Sequence, residues 1–341
     1  MSSLTTAEIL NKLTAVSGVS GDETIVTETI LDIIGNENIH IIKNDTDLLL
    51  SVGETIPDRK NILIDAHIDR IGFVVTAVTD SGFLKVGNIG GIDSRILSAA
   101  EVTICTKSGE IPGVIAVKPP HLSSKDDKPL KISDLVIDTG MSGETAKREI
   151  AQGDRVYFKN TAVTMQNGII TASALDNRAG VAAAIAVLLK LKETPSVKAN
   201  YYFLFSSQEE STERGAKIVA SMIDFDESYV IDTSFAYFDG EPKDKCGIMG
   251  KGVMLGISST LDKGLFNEIS NECEAANEPF QVEVMPEKTG TNADVIGGTG
   301  ARCITLSIPI KYMHTPVETV EIADIESTVR VLVNHLGKEN A

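Results

Sequence analysis

A mixed α/β sheet sandwiched by helices and interrupted by a small inserted β-barrel is the architecture this 341-residue chain predicts. Three stretches carry that expectation. "NILIDAHIDRIGFVVTAV", beginning at Asn61, is a nearly continuous apolar run, as a strand buried on both faces requires. From about residue 170 onward, long helical segments alternate with short apolar runs, the pattern of a sheet covered by helices. Between them, residues 70–165 break into short Val and Ile runs separated by Gly, Asp and Ser, the rhythm of a small barrel or sandwich. The expected division is therefore residues 1–69 as the first part of a larger domain, 70–165 as an inserted β-rich domain, and 166–341 as the second part.

Each element follows from a local signal. Through "TETILDIIG" the apolar residues recur at helical spacing, and the segment from Ser20 to Asp22 stands where a cap for the second helix is expected. The buried strand then runs into His67 and Asp69. Barrel strands are expected in "TDSGFLKVGNIGG", "TKSGEIPGVIAV" and "GDRVYFKN", where turn residues punctuate β-branched runs. "ITASALDNRAGVAAAIAVLLKLKE" leads into a long helix, and "NYYFLFSS", "ESYVIDTS", "GVMLGIS", "FQVEVMP" and "CITLSIPI" read as strands. A last helix, over about 324–336, begins in acidic residues that suit a helix amino terminus.

Composition narrows the function. Apolar residues make up 42% of the chain, enough for a sizeable core. No run of eighteen apolar residues occurs, and the opening residues alternate like an amphipathic helix, so neither a membrane segment nor a secretion signal is expected. Cys105, Cys246, Cys273 and Cys303 show no C-x-x-C spacing, which argues against a disulfide framework or a thiolate metal site and for a reducing, cytoplasmic setting. A net charge of -17 with dispersed Lys and Arg repels phosphate backbones and anionic lipid, so neither nucleic acid nor membrane is an expected partner.

Open α/β sheets place chemistry beyond the carboxyl ends of their strands. Ligand-type residues gather there: His67 and Asp69 in "ILIDAHID", Asp176 in "SALDNRAG", Glu209 and Glu210 in "FSSQEE", Asp232 in "YVIDTS" and His314 in "IPIKYMHTP". Singly, each has an ordinary explanation, since His67 suits a core histidine, Asp176 a helix cap, and the others loop positions. Together, two imidazoles and several carboxylates suit a pair of divalent cations sharing one carboxylate. Two adjacent glutamates then need not repel, because one can bind a cation while its neighbour handles a proton: Glu210 as ligand, Glu209 as general base and acid.

The blocks "AHIDRIGF", "ALDNRAG", "SSQEESTERGA", "VIDTS" and "YMHTPVE", with "GVIAVKPPHL" and "GKG" between them, resemble in order the signatures of the M42 metallo-aminopeptidases, cytoplasmic enzymes related to the TET peptidases. The resemblance spans nearly the whole chain. It implies a dinuclear zinc-peptidase fold with a β-rich domain that builds subunit contacts, and assembly from dimers to dodecamers. It implies that His67 and Asp232 hold one metal, Glu210 and His314 a second, and that Asp176 bridges them. It further implies Glu209 as the catalytic base, Asp69 as the group orienting His67, and a cis peptide at Asp176–Asn177. Two divalent ions per subunit are expected, zinc first, with cobalt or manganese suited to the same mixed donors.

The reaction so implied is removal of N-terminal residues from peptides with a free amino terminus. Arg70, Ser211, Thr212, Asn292 and Lys311 depart from the resembled pattern, and Lys288, Asn292 and Lys311 stand as candidates either for the side-chain pocket or for solvated surface. His121 in "KPPHL" is a candidate for an interface or pocket, or an ordinary loop histidine. Two rivals differ in class. A glycoside hydrolase, the endoglucanase label sometimes given to this family, needs two carboxylates and usually aromatic platforms, and this chain has no Trp. A catalytically inactive metal-binding assembly protein would keep the fold but have no use for Glu209.

Overall fold

The computed structural model describes residues 4–122, 131–159, 162–193 and 198–338. After two helices, Thr6–Thr14 and Thr24–Ile34, the chain lays down β1 (Ile39–Asn44), β2 (Leu48–Val52) and β3 (Lys60–His67). Six strands follow: β4 (Gly72–Val78), β5 (Leu84–Ile89), β6 (Glu101–Thr106), β7 (Gly109–Ile115), β8 (Val136–Asp138) and β9 (Arg155–Phe158). The rest are β10 (Val163–Thr164), β11 (Ile169–Ala172), β12 (Ala199–Ser206), β13 (Glu227–Phe235), β14 (Val253–Ser258), β15 (Phe280–Met285), β16 (Arg302–Lys311) and β17 (Glu318–Glu321).

Among the described residues these strands form two bodies. The large sheet runs β1-β2-β12-β3-β13-β16-β17-β11-β10, with β15 joined through β14 to β16. At its centre β12, β3, β13 and β16 are mutually parallel, so their carboxyl ends open on one edge. Burial on both faces explains their composition: β12, "ANYYFLFS", is buried along its whole length. One face packs on the Ala-rich helix Leu175–Leu191, whose small side chains let it lie against β3, β13 and the last helix, Ile322–Gly337. The mixed sheet expected from the alternating pattern is thus present.

β4 to β9 close into a barrel in the order β4-β5-β8-β7-β6-β9. Its own core is built from Phe73, Val75, Ile104, Ile115, Ile137, Val156 and Phe158, with Phe73 and Phe158 edge to face at 5.7 Å. The barrel leaves the sheet at the residues after His67, so β3 and β4 are separated only by residues 68–71. There Arg70, 1% exposed, stacks over the Tyr157 ring of β9 at 5.1 Å. β10 pairs with β11 and so belongs to the large sheet.

The second helix is capped differently from expectation. Its N-cap is Glu23, without a side-chain cap bond, and the Ser20 hydroxyl donates instead to the Asp69 carboxylate. The physical reason is that Asp69 is fully buried and needs donors, while the Glu23 carboxylate accepts from the Gly21 amide at 2.7 Å. No helix among the described residues is long and apolar enough to cross a membrane.

Candidate active site

The proposed ligands arrive from separate elements at the carboxyl edge of the parallel strands. His67 is the last residue of β3, paired in register with Ser206 of β12, and Asp232 lies near the end of β13. Asp176 stands where the chain leaves β11 for the long helix, before a cis peptide to Asn177, and the Asn177 amide donates to the Ile231 carbonyl at 2.8 Å. Glu209 and Glu210 open a single helical turn, Glu209–Thr212, after Gln208 in the left-handed region. That turn lets successive side chains face one pocket where a continuing strand would send them to opposite sides. His314, at φ 61, comes from the turn between β16 and β17.

Two clusters result, and they share Asp176. His67 Nε2 is 3.3 Å from Asp176 Oδ1 and 3.5 Å from Asp232 Oδ1. His314 Nε2 is 3.2 Å from Asp176 Oδ2 and 3.2 Å from Glu210 Oε1. Within each cluster, one donor atom per residue lies within 4.8 Å of the others, close enough for one cation to gather them. Glu209 belongs to neither cluster, yet its Oε2 is 3.9 Å from His67 Nε2.

The donor set fits divalent cations. Glu210 Oε1 is buried and faces only the His314 ring nitrogen at 3.2 Å, so the pair needs either a proton on that ring or a cation between the two atoms. With both imidazoles neutral, Asp176, Glu209, Glu210 and Asp232 offer negative charge that two divalent ions would balance. Without cations the protons must do that work. Burial lifts the Glu209 carboxyl to about 9, His67 opposing and the neighbouring carboxylates reinforcing. Burial also raises Asp232 and Glu210. For His314 burial acts downward, but Asp176 and Glu210 outweigh it and raise the imidazole to about 11. His67 is likewise held well above its ordinary value by Glu209 and Asp232 against the pull of burial. Asp176, although buried, is held low by both histidines.

Asp69 reaches the His67 ring and also holds a second post. The nearest partner of His67 Nδ1 is the Asp69 main-chain oxygen at 3.2 Å, with the carboxylate at 3.4 Å. The carboxylate also accepts from the Glu209 amide at 2.9 Å, the Glu210 amide at 3.2 Å and the Ser20 hydroxyl. It therefore fixes the turn that carries both glutamates. A second buried carboxylate supports the same turn from below: Asp47 accepts from the Ser207 amide at 2.9 Å and the Ser207 hydroxyl at 2.6 Å. Its only sequence signal is an acid in an otherwise apolar hairpin, "DTDLLLSV", too common a feature to single it out.

Glu318 is another residue that motif reasoning passed over, although it closes "YMHTPVE". It is 2% exposed and accepts from the backbone amides of both Asp176 and His314. Asn292, 1% exposed, lines no open pocket: its amide donates to Asp65 at 2.9 Å and Ser206 at 2.8 Å beneath the His67 strand end. Lys288, Ser211 and Thr212 are exposed, Lys311 is half-buried, and His121 is exposed in the turn Pro120–Leu122. From the barrel, a Cβ built on Gly91 would sit 3.3 Å from His314 Nδ1, and one on Gly90 3.4 Å from Glu210 Oε2. The turn that follows β5 after Ile89 thus approaches the site because Gly90 and Gly91 carry no side chains there.

Comparison with known proteins places the chain in a family. The model of the M42 glutamyl aminopeptidase family matches residues 50–331. A lysyl aminopeptidase of Pyrococcus furiosus is 29% identical over 343 residues, 95% of this chain and 94% of its own. Among solved structures, a TET aminopeptidase from a marine sediment archaeon of the Thaumarchaeota superposes with a TM-score of 0.90 at 25% identity, covering 96% of each chain. The TET1 peptidase of Pyrococcus horikoshii, described as assembling into a tetrahedron or a large octahedral shell, gives 0.84 at 30% identity over 97% of this chain and 98% of its own.

Proposed function

The chain belongs to the M42 glutamyl aminopeptidase family, and from that premise we propose that it is a dinuclear metal-dependent aminopeptidase that removes N-terminal residues from short peptides, with Glu209 as general base. The carrying observation is the pair of donor clusters sharing Asp176 while Glu209 stands outside both. In this reading His67 and Asp232 hold one cation, Glu210 and His314 the other, and Asp176 serves both. Zinc is the first candidate, with cobalt or manganese suited to the same N and O donors.

When bound, the cations acidify water and polarise a scissile carbonyl. Glu209, outside both clusters, is the carboxylate that would take up a proton from water and return it to the leaving amine. Its raised affinity for a proton, caused first by burial, belongs to the cation-free site; two divalent cations beside it would pull the carboxyl back toward the ionised form that a base needs. The Asp69 carboxylate keeps Glu209 and Glu210 in their separate roles by holding both of their amides.

The division at residues 1–69, 70–165 and 166–341 belongs to the same proposal, save that Val163–Thr164 pair into the large sheet, with the inserted β-rich domain making subunit contacts in a homo-oligomer. Its support is the pair of TET relatives among the solved structures. A cytoplasmic setting is supported by four free cysteines. The glycosidase reading is disfavoured because it leaves both imidazoles without a task.

The test is cleavage of free-amine and N-acetylated peptides by protein stripped of metal and then supplied with zinc, cobalt or manganese. Metal-restored cleavage of free-amine substrates only, lost in Glu209→Gln, is expected. Cations taken up without cleavage of any peptide would make this an inactive assembly protein instead.

A further inference from the structure

We propose that Glu318 is a positioning residue for the candidate metal centre, one carboxylate that sets the backbone of Asp176 and of His314 and so fixes the spacing of the second cluster. This rests on the dinuclear reading above. Glu318 Oε2 accepts from the Asp176 amide at 3.1 Å, across 142 residues of sequence. Oε1 accepts from the His314 amide at 2.7 Å. Both oxygens are thereby committed, and the side chain is 2% exposed.

The need for such a clamp lies in the backbone on either side. His67 and Asp232 inherit their positions from hydrogen-bonded parallel strands. Asp176 and His314 do not. Asp176 has φ -80 and ψ 105 before the regular helix begins, and His314 has φ 61 within a turn that also holds Tyr312 at φ 59. For residues other than glycine the left-handed region is costly and persists only where surrounding contacts impose it. Neither amide has a ladder partner, and a buried amide must be paired. Glu318 supplies both acceptors.

Its own place is secure. It starts β17 and pairs in register with Ala172 of β11, four residues before Asp176. The strand that carries the clamp is therefore bonded to the strand that delivers one of the clamped residues. Glu318 touches neither donor side chain in this scheme. It acts through their backbones, as outer contacts of metal sites commonly do, at a cost of about ten- to a hundredfold in affinity when lost.

Glu318→Gln tests the assignment with little change of shape. An amide offers only one acceptor oxygen, so its NH2 group would face one of the two backbone N–H groups. The measurement is uptake of Co2+ by apoprotein, followed by visible absorption, beside the melting temperature of the apoprotein. Wild type is expected to take two equivalents. In Glu318→Gln the second should weaken by about ten- to a hundredfold relative to the first, with a changed cobalt spectrum. A merely structural glutamate would lower melting and leave the ratio of the two binding constants unchanged, and that result overturns the proposal.

Hydrogen exchange in wild-type apoprotein decides the matter if the variant does not fold. Slow exchange at both the Asp176 and His314 amides is expected, and fast exchange at either overturns the clamp. Fewer than two equivalents bound by wild type, with both amides slow, would refute the dinuclear reading while leaving the clamp itself in place, so the two failures are separable.

Discussion

The two halves of the site are made by different means. The His67 half sits on strand ends, and its imidazole is 2% exposed. The His314 half sits on turns, and its imidazole is 33% exposed, with a glycine pair of the barrel against it. In the first half, sheet hydrogen bonds place the donors. In the second, buried carboxylates hold main-chain amides one at a time: Asp69 for Glu210, and Glu318 for His314 and Asp176. A position guaranteed by a cooperative ladder is stiffer than one guaranteed by single bonds, so the second half is the more easily disturbed.

That contrast can be broken at several points. The largest effect is expected from Glu209→Gln, which should lower kcat by about 10² to 10⁴-fold while leaving cation uptake nearly intact, because Glu209 lies in neither donor cluster. Equal loss of uptake and activity would remove its assignment as base. Next, His67→Ala and His314→Ala should separate the halves. Loss of His314 should leave one cation bound, measured by metal content after dialysis, whereas loss of His67 should weaken the more rigid site. Identical stoichiometry in the two variants would erase the distinction.

A smaller effect is expected from Gly91→Val, which adds bulk 3.3 Å or closer to His314 Nδ1. It should raise the apparent Kd of the weaker cation several-fold, on the order of 1 kcal/mol, and leave the tighter one unmoved. Last comes pH. Both imidazoles hold their protons above the ordinary range without cation, His314 to about 11. Coordination needs neutral imidazole, so uptake must release protons, and affinity must rise with pH through neutrality and on toward about 11, where His314 gives up its proton unaided. Calorimetry in two buffers of different ionisation enthalpy reads the protons released. No release would mean the histidines stay protonated and do not coordinate.

The fold was legible wherever a periodicity reported burial. The unbroken apolar runs of "NILIDAH" and "YYFLFS" marked strands buried on both faces, which the structure pairs in parallel at the centre, and turn-punctuated runs marked the barrel, because each pattern reflects how many faces of a strand are covered. The proposed donors His67, Asp176, Glu210, Asp232 and His314 were nameable because ligand chemistry restricts residue type and strand ends restrict place. What the sequence alone could not determine is where a buried carboxylate spends its oxygens.

Asp69 looked like a partner for the His67 ring and is also the acceptor for two amides, while Ser20 looked like a helix cap and serves Asp69. Asn292 stood as a pocket candidate and is sealed beside Asp65, and Asp47 and Glu318 carried no signal that set them apart from other acids. Each of these choices depends on which backbone amides are left unpaired at irregular turns. Only the tertiary structure decides that, because the donor and the carboxylate that answers it are brought together by chain segments as far apart as Asp176 and Glu318.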